Sequence, residues 1–366
     1  MTTVSRKQAK VRDHVADAIR CGELRPGQRL ENDRDLSVQL GVSRVTLGRG
    51  LNMLVEQGLL VRKVGSGTYV AETAVESSTE GRRGGLAVPD KVGLVISGSG
   101  GPIALALQRG AHQVFPKSEC DIVVKDPEGD PEEERKLVRD LVDRGAEALI
   151  VTTCAPFLDV GFRDFYRGVA AQVPLVMCDR VLYDPRFNMV STDNVLGGVM
   201  AAELLGSRAP ERRSFWALRQ DWPCSSLWER AMGFQLGLAA RWGVEPGQVE
   251  TISLPTDPER AGELLRGRLR AGPAPDGIFA LADGLLRSLV DFGRRAWPEG
   301  GRLNTCCFDN FLKAADLFDI PCLEQDLVGI GVEAARIISA LRTSPGAPVK
   351  NVRLPPRWVE GRKDLG

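Results

Sequence analysis

One continuous pattern near the amino terminus decides the fold of that region: GELRPGQRLENDRDLSVQLGVSRVTLGRGLNMLVEQGLLVRKVGSGTYV, residues 22–70. Apolar residues recur at helical spacing on both sides of Gly41, which can close a tight turn between two helices. A further helical pattern, residues 11–19, precedes them. Two short apolar runs, 59–63 and 68–71, follow and are typical of a small hairpin. The pattern therefore predicts three helices and a hairpin.

This pattern resembles the winged helix-turn-helix of the GntR family along nearly its whole length. In such motifs the second helix presents its amino-terminal turn to base edges and phosphates, where unpaired helix N–H groups can hold a phosphate. Small residues in the hairpin turn let the wing approach the DNA backbone closely. The resemblance implies a DNA-contacting set that consists of Arg34, Ser43, Arg44, Thr46, Arg49, Arg62, Lys63, Gly65, Ser66 and Gly67.

Two positions depart from the family pattern. The family usually has Pro-Ser where this chain has Glu31 and Asn32, and it usually has Arg where this chain has Gly48. A glycine inside a helix costs about 1 kcal/mol relative to alanine, and this one removes an expected DNA contact. Arg49 follows but points roughly 100° away around the helix. We therefore expect an operator that differs from the family's usual one.

Charge is unevenly distributed along the 366 residues, although the formal net charge is zero. Residues 1–72 carry 12 Lys and Arg against 8 Asp and Glu, whereas the rest of the chain carries 36 against 40. A basic domain on an acidic body suits binding to a polyanion. Residues 73–89 are polar and cannot form a core. We expect a DNA-binding domain in 1–72, a linker in 73–89 and a two-lobed effector domain in 90–366.

Short apolar runs alternate with amphipathic segments through the rest of the chain. This alternation is typical of doubly wound parallel sheets with helices on both faces, and the number of runs suggests two such sheets. The predicted fold class is α/β, a winged helix-turn-helix followed by a two-lobed doubly wound domain. The predicted strands are 92–97, 121–125, 148–152, 175–179, 214–218, 249–254, 277–281 and 304–308.

Four short motifs in this second region resemble the ligand domain of the LacI/GalR repressors, which is related to periplasmic sugar-binding proteins. The motifs are PLVMCDRVLYDPRFNMVSTDNVLGGVMAAELL (174–205), ERAMGF (229–234), DGIFALAD (276–283) and FDN (308–310). Each motif is short, but all four occur in the family's order. The resemblance implies a periplasmic-binding-protein-like body that binds a small effector between its lobes.

The candidate effector site lies where strands end, because ligands of such folds bind at the carboxyl ends of parallel strands. Asp179 and Asp309 follow two of the predicted strands, and Arg230 opens a helix. Two carboxylates and one guanidinium can hold vicinal hydroxyl groups through charge-assisted hydrogen bonds, which favours a sugar. Helix capping or ion pairing is the alternative role for the two aspartates. The predicted set also includes Asp283, Ser97, Trp228 and Trp222, and simple packing is the alternative for the two tryptophans.

Several positions depart from the LacI/GalR pattern. Ile103 and Ala104 stand where the family often has pocket aromatics, and Ala282 stands where it has Asn. The glycine-rich loop 97–101 lacks a phosphate-binding motif. No segment resembles the family's hinge helix, since polar residues 73–89 take its place. The identity of the effector therefore does not follow from the resemblance.

Composition argues against other classes of protein. His14 and His112 are the two histidines of the chain, and they offer neither a catalytic triad nor a histidine metal site; we expect no catalytic residues, no metal and no cofactor. The eight cysteines include no C-x-x-C pair, so buried free thiols are expected. The sequence shows no apolar run of about 20 residues and no signal peptide, which favours a cytoplasmic protein that does not enter a membrane.

The combined interpretation is a sequence-specific transcriptional regulator, most simply a repressor. Its expected partners are a palindromic double-stranded DNA operator, a small carbohydrate effector and a second copy of the chain in a homodimer. An effector-dependent activator is the first alternative, because the sign of regulation depends on operator position. A solute-binding protein without a DNA role is the second.

Overall fold

The computed structural model divides the chain into two compact units, Met1–Leu86 and Ala87–Gly366. At residues 33, 34, 39, 56 and 63 the structure describes the backbone but not the side chain. We call the second unit the body. The structure describes all residues except 1–10, 13, 16–17, 19–23, 25–26, 31, 57–59, 64–66, 71–86, 98–100, 210, 212–213, 286–303, 312, 314, 316–318 and 361–366.

The amino-terminal unit contains the predicted helix-turn-helix and hairpin. Its described elements are α1 (Asp33–Gln39), α2 (Arg44–Glu56), β1 (Leu60–Lys63) and β2 (Gly67–Val70). The two strands pair antiparallel. Gly41 has a φ of 64°, a left-handed conformation that glycine adopts at little cost, and it ends the first helix. The second helix buries its apolar face in the core of the unit through Leu47, Leu51 and Leu54.

The body contains two parallel sheets of six strands each. The first-lobe sheet has the order β13-β7-β6-β5-β3-β4. Its strands are β3 (Lys91–Ile96), β4 (Asp121–Lys125), β5 (Ala148–Thr152), β6 (Leu175–Cys178), β7 (Asn188–Thr192) and β13 (Asn351–Leu354). The helices of this lobe are α3 (Pro102–Val114), α4 (Pro131–Asp143), α5 (Val160–Ala170) and α9 (Leu327–Thr343).

The second-lobe sheet has the order β14-β12-β11-β10-β8-β9, and its edge strand β14 runs antiparallel. Its strands are β8 (Phe215–Gln220), β9 (Val249–Leu254), β10 (Gly277–Ala280), β11 (Thr305–Phe308), β12 (Cys322–Glu324) and β14 (Arg357–Val359). The helices are α6 (Asn194–Arg208), α7 (Ser225–Trp242) and α8 (Pro258–Ala271), with short 3₁₀ turns at Pro246–Gln248 and Asp283–Leu285. Apolar residues cover both faces of each sheet.

The predicted fold class is confirmed, and all eight predicted strands are present within two residues of their expected ends. Four strands were missed, namely β7, β12, β13 and β14. They are short, and the chain passes through them as it moves between the lobes. It crosses after β7, after β12 and after β13. The seven cysteines in the described part of the chain are buried and free, as predicted.

Glycines bring α6 and α7 into close contact in the second lobe. A Cβ atom on Gly233 would overlap the carbonyl oxygen of Val195, and one on Gly198 would overlap that of Arg230. The two helix backbones therefore touch where any larger residue would separate them. This crossing places the first turn of α6 directly beside the first turns of α7.

We expect Gly233→Ala to destabilise the body by about 1–3 kcal/mol, because the added methyl group overpacks the helix crossing. Gly267→Ala is the matched control, since Gly267 lies in α8 with no atom within 4 Å of a built Cβ. That change should be neutral or stabilise by up to about 1 kcal/mol, because alanine favours a helix. Urea unfolding of both variants measures the difference. Equal stability of the two variants would contradict the close crossing.

Candidate effector site and DNA-binding surface

Asp179 and Asp309 occupy equivalent places in the two lobes of the body. Each follows the last residue of an inner strand, β6 for Asp179 and β11 for Asp309. Both side chains are buried, and both backbones are left-handed, with φ values of 58° and 71°. Aspartate tolerates this conformation better than most residues, because its short polar side chain can bond locally. Each strand therefore ends by presenting a buried carboxyl group.

Arg230 is held in one position by three groups of the protein. Its Nε donates to Asn194 Oδ1 at 2.8 Å, and its Nη1 donates to the carbonyl oxygen of Leu281 at 2.7 Å. Nη1 also donates to Asp309 Oδ2 at 3.3 Å. The guanidinium carbon lies 3.6 Å from the ring centroid of Phe308, a cation–π stacking distance. The buried charge is thereby fixed in position beside Asp309.

The two carboxyl groups differ in how they are satisfied. Asp309 Oδ1 accepts a hydrogen bond from Gln325 Nε2 at 2.8 Å, so both of its oxygens have partners. Asp179 Oδ2 lies 4.0 Å from Arg180 Nε. Asp179 Oδ1 is buried and has no hydrogen-bond partner among the described residues. Such an oxygen costs free energy until a donor satisfies it, and a ligand hydroxyl can be that donor.

Burial raises the pKa of both carboxyl groups. For Asp309 the nearby charge of Arg230 and the hydrogen bond from Gln325 oppose this rise in pKa. For Asp179 the charges of Arg180 and Arg230 oppose it, whereas the negative charge of Asp309 adds to it. Charges of the second lobe, on Arg230 and Asp309, thus act on the pKa of Asp179 in the first lobe.

The other predicted effector residues lie in different environments. Asp283 is buried in its 3₁₀ turn. Ser97 Oγ accepts a hydrogen bond from the Gly129 amide at 3.1 Å, which ties two loops of the first lobe together. The guanidinium carbon of Arg180 lies 4.5 Å from the ring centroid of Trp222. An effector role for Asp283, Ser97 and Trp222 stays a prediction.

Trp228 and Arg230 both lie on α7 but face different directions, because residues two positions apart in a helix differ by about 200° around its axis. Its side chain is 45% exposed. Its ring centroid lies 5.8 Å from that of Phe157 and 6.4 Å from that of Tyr183. Trp228 therefore contacts two aromatic side chains of the first lobe, and its effector role stays a prediction.

Three residues of the site escaped the sequence analysis, namely Asn194, Gln325 and Arg180. Asn194 stands in the quoted motif 174–205, but the motif does not show that it bonds Arg230. Gln325 follows β12, a strand that was missed. A search for polar residues at the ends of strands finds Gln325 only if β12 has first been recognised as a strand.

The candidate DNA-binding surface is the first turn of α2 with the hairpin beside it. Ser43 caps α2, since its Oγ accepts from the Thr46 amide at 3.1 Å and lies 2.8 Å from Thr46 Oγ1. Arg44 and Arg49 are exposed on this helix. Arg62 of β1 is also exposed, and its Nη2 lies 3.4 Å from the carbonyl oxygen of Gly48, to which it donates.

The remaining predicted DNA contacts are only partly described. Gly65, Ser66 and the side chains of Arg34 and Lys63 lie outside the described residues. Gly67 has a φ of 123°, and a Cβ there would lie 2.9 Å from Arg29 Nε. Glycine is therefore needed at this corner of the hairpin.

Comparison with known proteins identifies both parts of the chain. Residues 7–70 match the family model described as bacterial regulatory proteins, gntR family. The chain is similar to the arabinose metabolism transcriptional repressor of Halalkalibacterium halodurans, with 22% identity over 90% of this chain and 87% of the relative. The chain is a DNA-binding transcriptional regulator.

The body of the regulator has the LacI and periplasmic-binding-protein fold. It is similar to the ribose import binding protein of Salmonella typhimurium, with 29% identity over 56% of this chain and 69% of the relative. The solved structure of the Cra transcriptional dual regulator from Pseudomonas putida, in complex with fructose 1-phosphate, covers 75% of this chain and 99% of its own. Its TM-score is 0.62 at 20% sequence identity. Among the described residues, no helix is long and apolar enough to cross a membrane.

The raised pKa of Asp179 gives a testable pH dependence. The folded regulator holds this proton more tightly than the unfolded chain, so the group's contribution to stability is full below 3.8 and is lost as the pH rises through the raised pKa. Asp179→Asn removes this titration. We expect the Tm of the variant, relative to the wild type, to increase as the pH is raised from about 4 to about 7.5.

Thermal unfolding across this pH range measures the effect. Asp319→Asn is the control, because Asp319 also has a left-handed backbone, with a φ of 53°. A Tm difference for Asp179→Asn that does not change with pH would show that its carboxyl group is not held in a costly buried state.

Proposed function

We propose that a neutral carbohydrate binds between the lobes of the body and controls the affinity of the amino-terminal unit for a DNA operator. The observation that carries this proposal is the buried Asp179 Oδ1, which has no partner among the described residues. The charges of Arg230 and Asp309, from the other lobe, act on the pKa of the same carboxyl group. A polyol offers hydroxyl donors to the carboxylates and hydroxyl oxygens to Arg230. Both lobes then contact one ligand.

The charge of the site favours a neutral ligand over a phosphorylated one. Asp179, Asp283 and Asp309 are buried acidic groups, and Arg230 already donates to three protein oxygen atoms. A phosphate group beside these carboxylates would be repelled. The similarity to a ribose import binding protein supports a sugar ligand. A structural neighbour is in complex with fructose 1-phosphate, so sugar phosphates are the competing class of ligand.

Control of DNA binding follows from closure of the lobes around the ligand. An effector changes the equilibrium between two conformations only through a difference in its affinity for them. A ligand that contacts Asp179 of the first lobe together with Arg230 and Asp309 of the second favours a closed body. We propose that residues 73–89 act as the linker to the DNA-binding domain, that a homodimer binds a palindromic operator, and that the regulator acts as a repressor.

We expect Asp309→Asn to weaken effector binding by about 10- to 150-fold, because a neutral amide replaces a charged hydrogen-bond partner worth about 1.5–3 kcal/mol. Asparagine also tolerates the left-handed backbone at this position, which alanine does not. The measurement is the Tm of the full chain with D-ribose, D-arabinose and fructose 1-phosphate. A neutral sugar at about 100 times its Kd should add about 2.7 kcal/mol to wild-type stability.

Asp276→Asn is the matched control for Asp309→Asn. Asp276 directly precedes β10, so it lies at the amino-terminal ends of the parallel strands, whereas Asp309 lies at their carboxyl-terminal ends. Its Oδ2 accepts from the Ser214 amide at 3.0 Å, and effector binding should not change. Stabilisation by fructose 1-phosphate alone would overturn the choice of a neutral ligand. An Asp309→Asn variant that binds the sugar like the wild type would show that the site lies elsewhere.

We propose that the predicted set from Arg34 to Gly67 contacts DNA, and Arg44 tests it most directly. Arg44→Ala should weaken operator binding by about 1–3 kcal/mol if the side chain contacts a base, and should lower the salt slope by about one if it contacts a phosphate. Arg336→Ala is the control, because Arg336 is an exposed residue on α9 of the body. The measurement is fluorescence anisotropy with an operator selected by the wild type, and two chains should bind each site. Unchanged binding would contradict this docking of α2.

A further inference from the structure

Two adjacent residues in the first turns of α7, Glu229 and Arg230, face different parts of the body. Arg230 faces the candidate effector site. Glu229 is 5% exposed and accepts three hydrogen bonds. The donors are Tyr183 Oη at 2.6 Å, Arg353 Nη1 at 2.7 Å and Asn194 Nδ2 at 3.2 Å. A buried carboxylate with three donors is well satisfied, and loss of a donor is costly.

Two of these donors belong to the other lobe. Glu229 is part of a second-lobe helix, whereas Arg353 lies on β13 of the first-lobe sheet and Tyr183 packs against the first-lobe core. A backbone contact accompanies them, since the Val181 amide donates to Ser225 Oγ at 2.9 Å. The start of α7 is therefore fastened to the first lobe beside the candidate effector site.

The partners of Glu229 differ in their distance from the crossovers. Arg353 stands one residue before the end of β13, and Asn194 begins α6 just after β7; both positions adjoin a crossover. A rotation of the lobes about the crossovers moves such residues least. Tyr183 lies in the loop between β6 and β7, further along the chain from any crossover, and its hydroxyl group joins that first-lobe loop to Glu229 of the second lobe.

Asn194 connects this contact to the effector site. Arginine can only donate hydrogen bonds and an ionised glutamate can only accept them, so the amide has one orientation that satisfies both. Its Oδ1 faces Arg230 and its Nδ2 faces Glu229. A change in the position of Arg230 is thereby transmitted to Glu229 through one rigid amide group.

We propose that Glu229 is a positioning residue that latches the two lobes through Tyr183, and that Asn194 keeps this latch in register with Arg230. Closure around an effector and formation of the latch then occur together. The coupling to an effector rests on the proposed function, whereas the latch itself requires no ligand and can be tested without one.

The test is hydrogen exchange of the Val181 amide in the full chain without sugar, measured at single-residue resolution. Tyr183→Phe keeps the aromatic ring and removes one hydroxyl donor to a charged group, so we expect exchange about tenfold faster or more. Tyr166→Phe is the matched control. Tyr166 Oη donates to Glu134 at 2.5 Å, but both residues belong to the first lobe, so exchange at Val181 should stay within about twofold of the wild type.

A second variant tests the connection to Arg230. Asn194→Asp still accepts from Arg230 but places a second carboxylate against Glu229, so it should also speed Val181 exchange. The Leu94 amide in the first-lobe core reports whether each variant is folded. Equal Val181 exchange in Tyr183→Phe and Tyr166→Phe would overturn the latch, and wild-type exchange in Asn194→Asp would overturn the role of Asn194. Neither result depends on whether a sugar binds, so failure of the proposed function is a separate outcome.

Discussion

The buried guanidinium of Arg230 is the constraint on which the centre of the body depends. A positive charge removed from water is tolerated only when hydrogen-bond acceptors surround it. Here the acceptors come from three separate places: the start of α6, the residue after β10 and the residue after β11. The glycine crossing of α6 and α7 is the means of bringing them together, because larger residues at Gly198 or Gly233 would move Asn194 away from Arg230.

The same arrangement places the charged site next to the crossovers between the lobes. Asn194 follows the first crossover, and Gln325, which holds Asp309, precedes the second. Thr192, the last residue of β7, donates to Gln325 at 2.6 Å. The hydrogen bonds of the candidate site therefore continue into the segments about which the lobes can rotate. A ligand at the proposed site would act beside these segments, where a small displacement produces the largest change at the periphery.

The sequence predicted those parts of the structure that depend on local pattern. Eight strands were predicted because they are short and mostly apolar, and Asp179 and Asp309 were predicted because each follows a buried apolar run. Two of the strands that were missed, NVRL in β13 and RWV in β14, are short and only partly buried, and each contains an arginine. Their pairing is set by crossovers that no local pattern shows. The roles of Asn194 and Glu229 were missed for the same reason, since their partners come from distant parts of the chain.

Gly48 shows the same limit in the amino-terminal unit. Considered along α2 alone, a glycine at this position removes a side chain from the proposed DNA-binding surface. The structure places the guanidinium of Arg62 there, and a Cβ on Gly48 would lie 3.9 Å from its Nη2. The positive charge at this point of the helix thus comes from β1, fourteen residues later in the sequence. A Cβ at this distance would be in ordinary van der Waals contact with the guanidinium, and the Gly48 carbonyl oxygen accepts its hydrogen bond, so the glycine and the arginine form one feature of the surface.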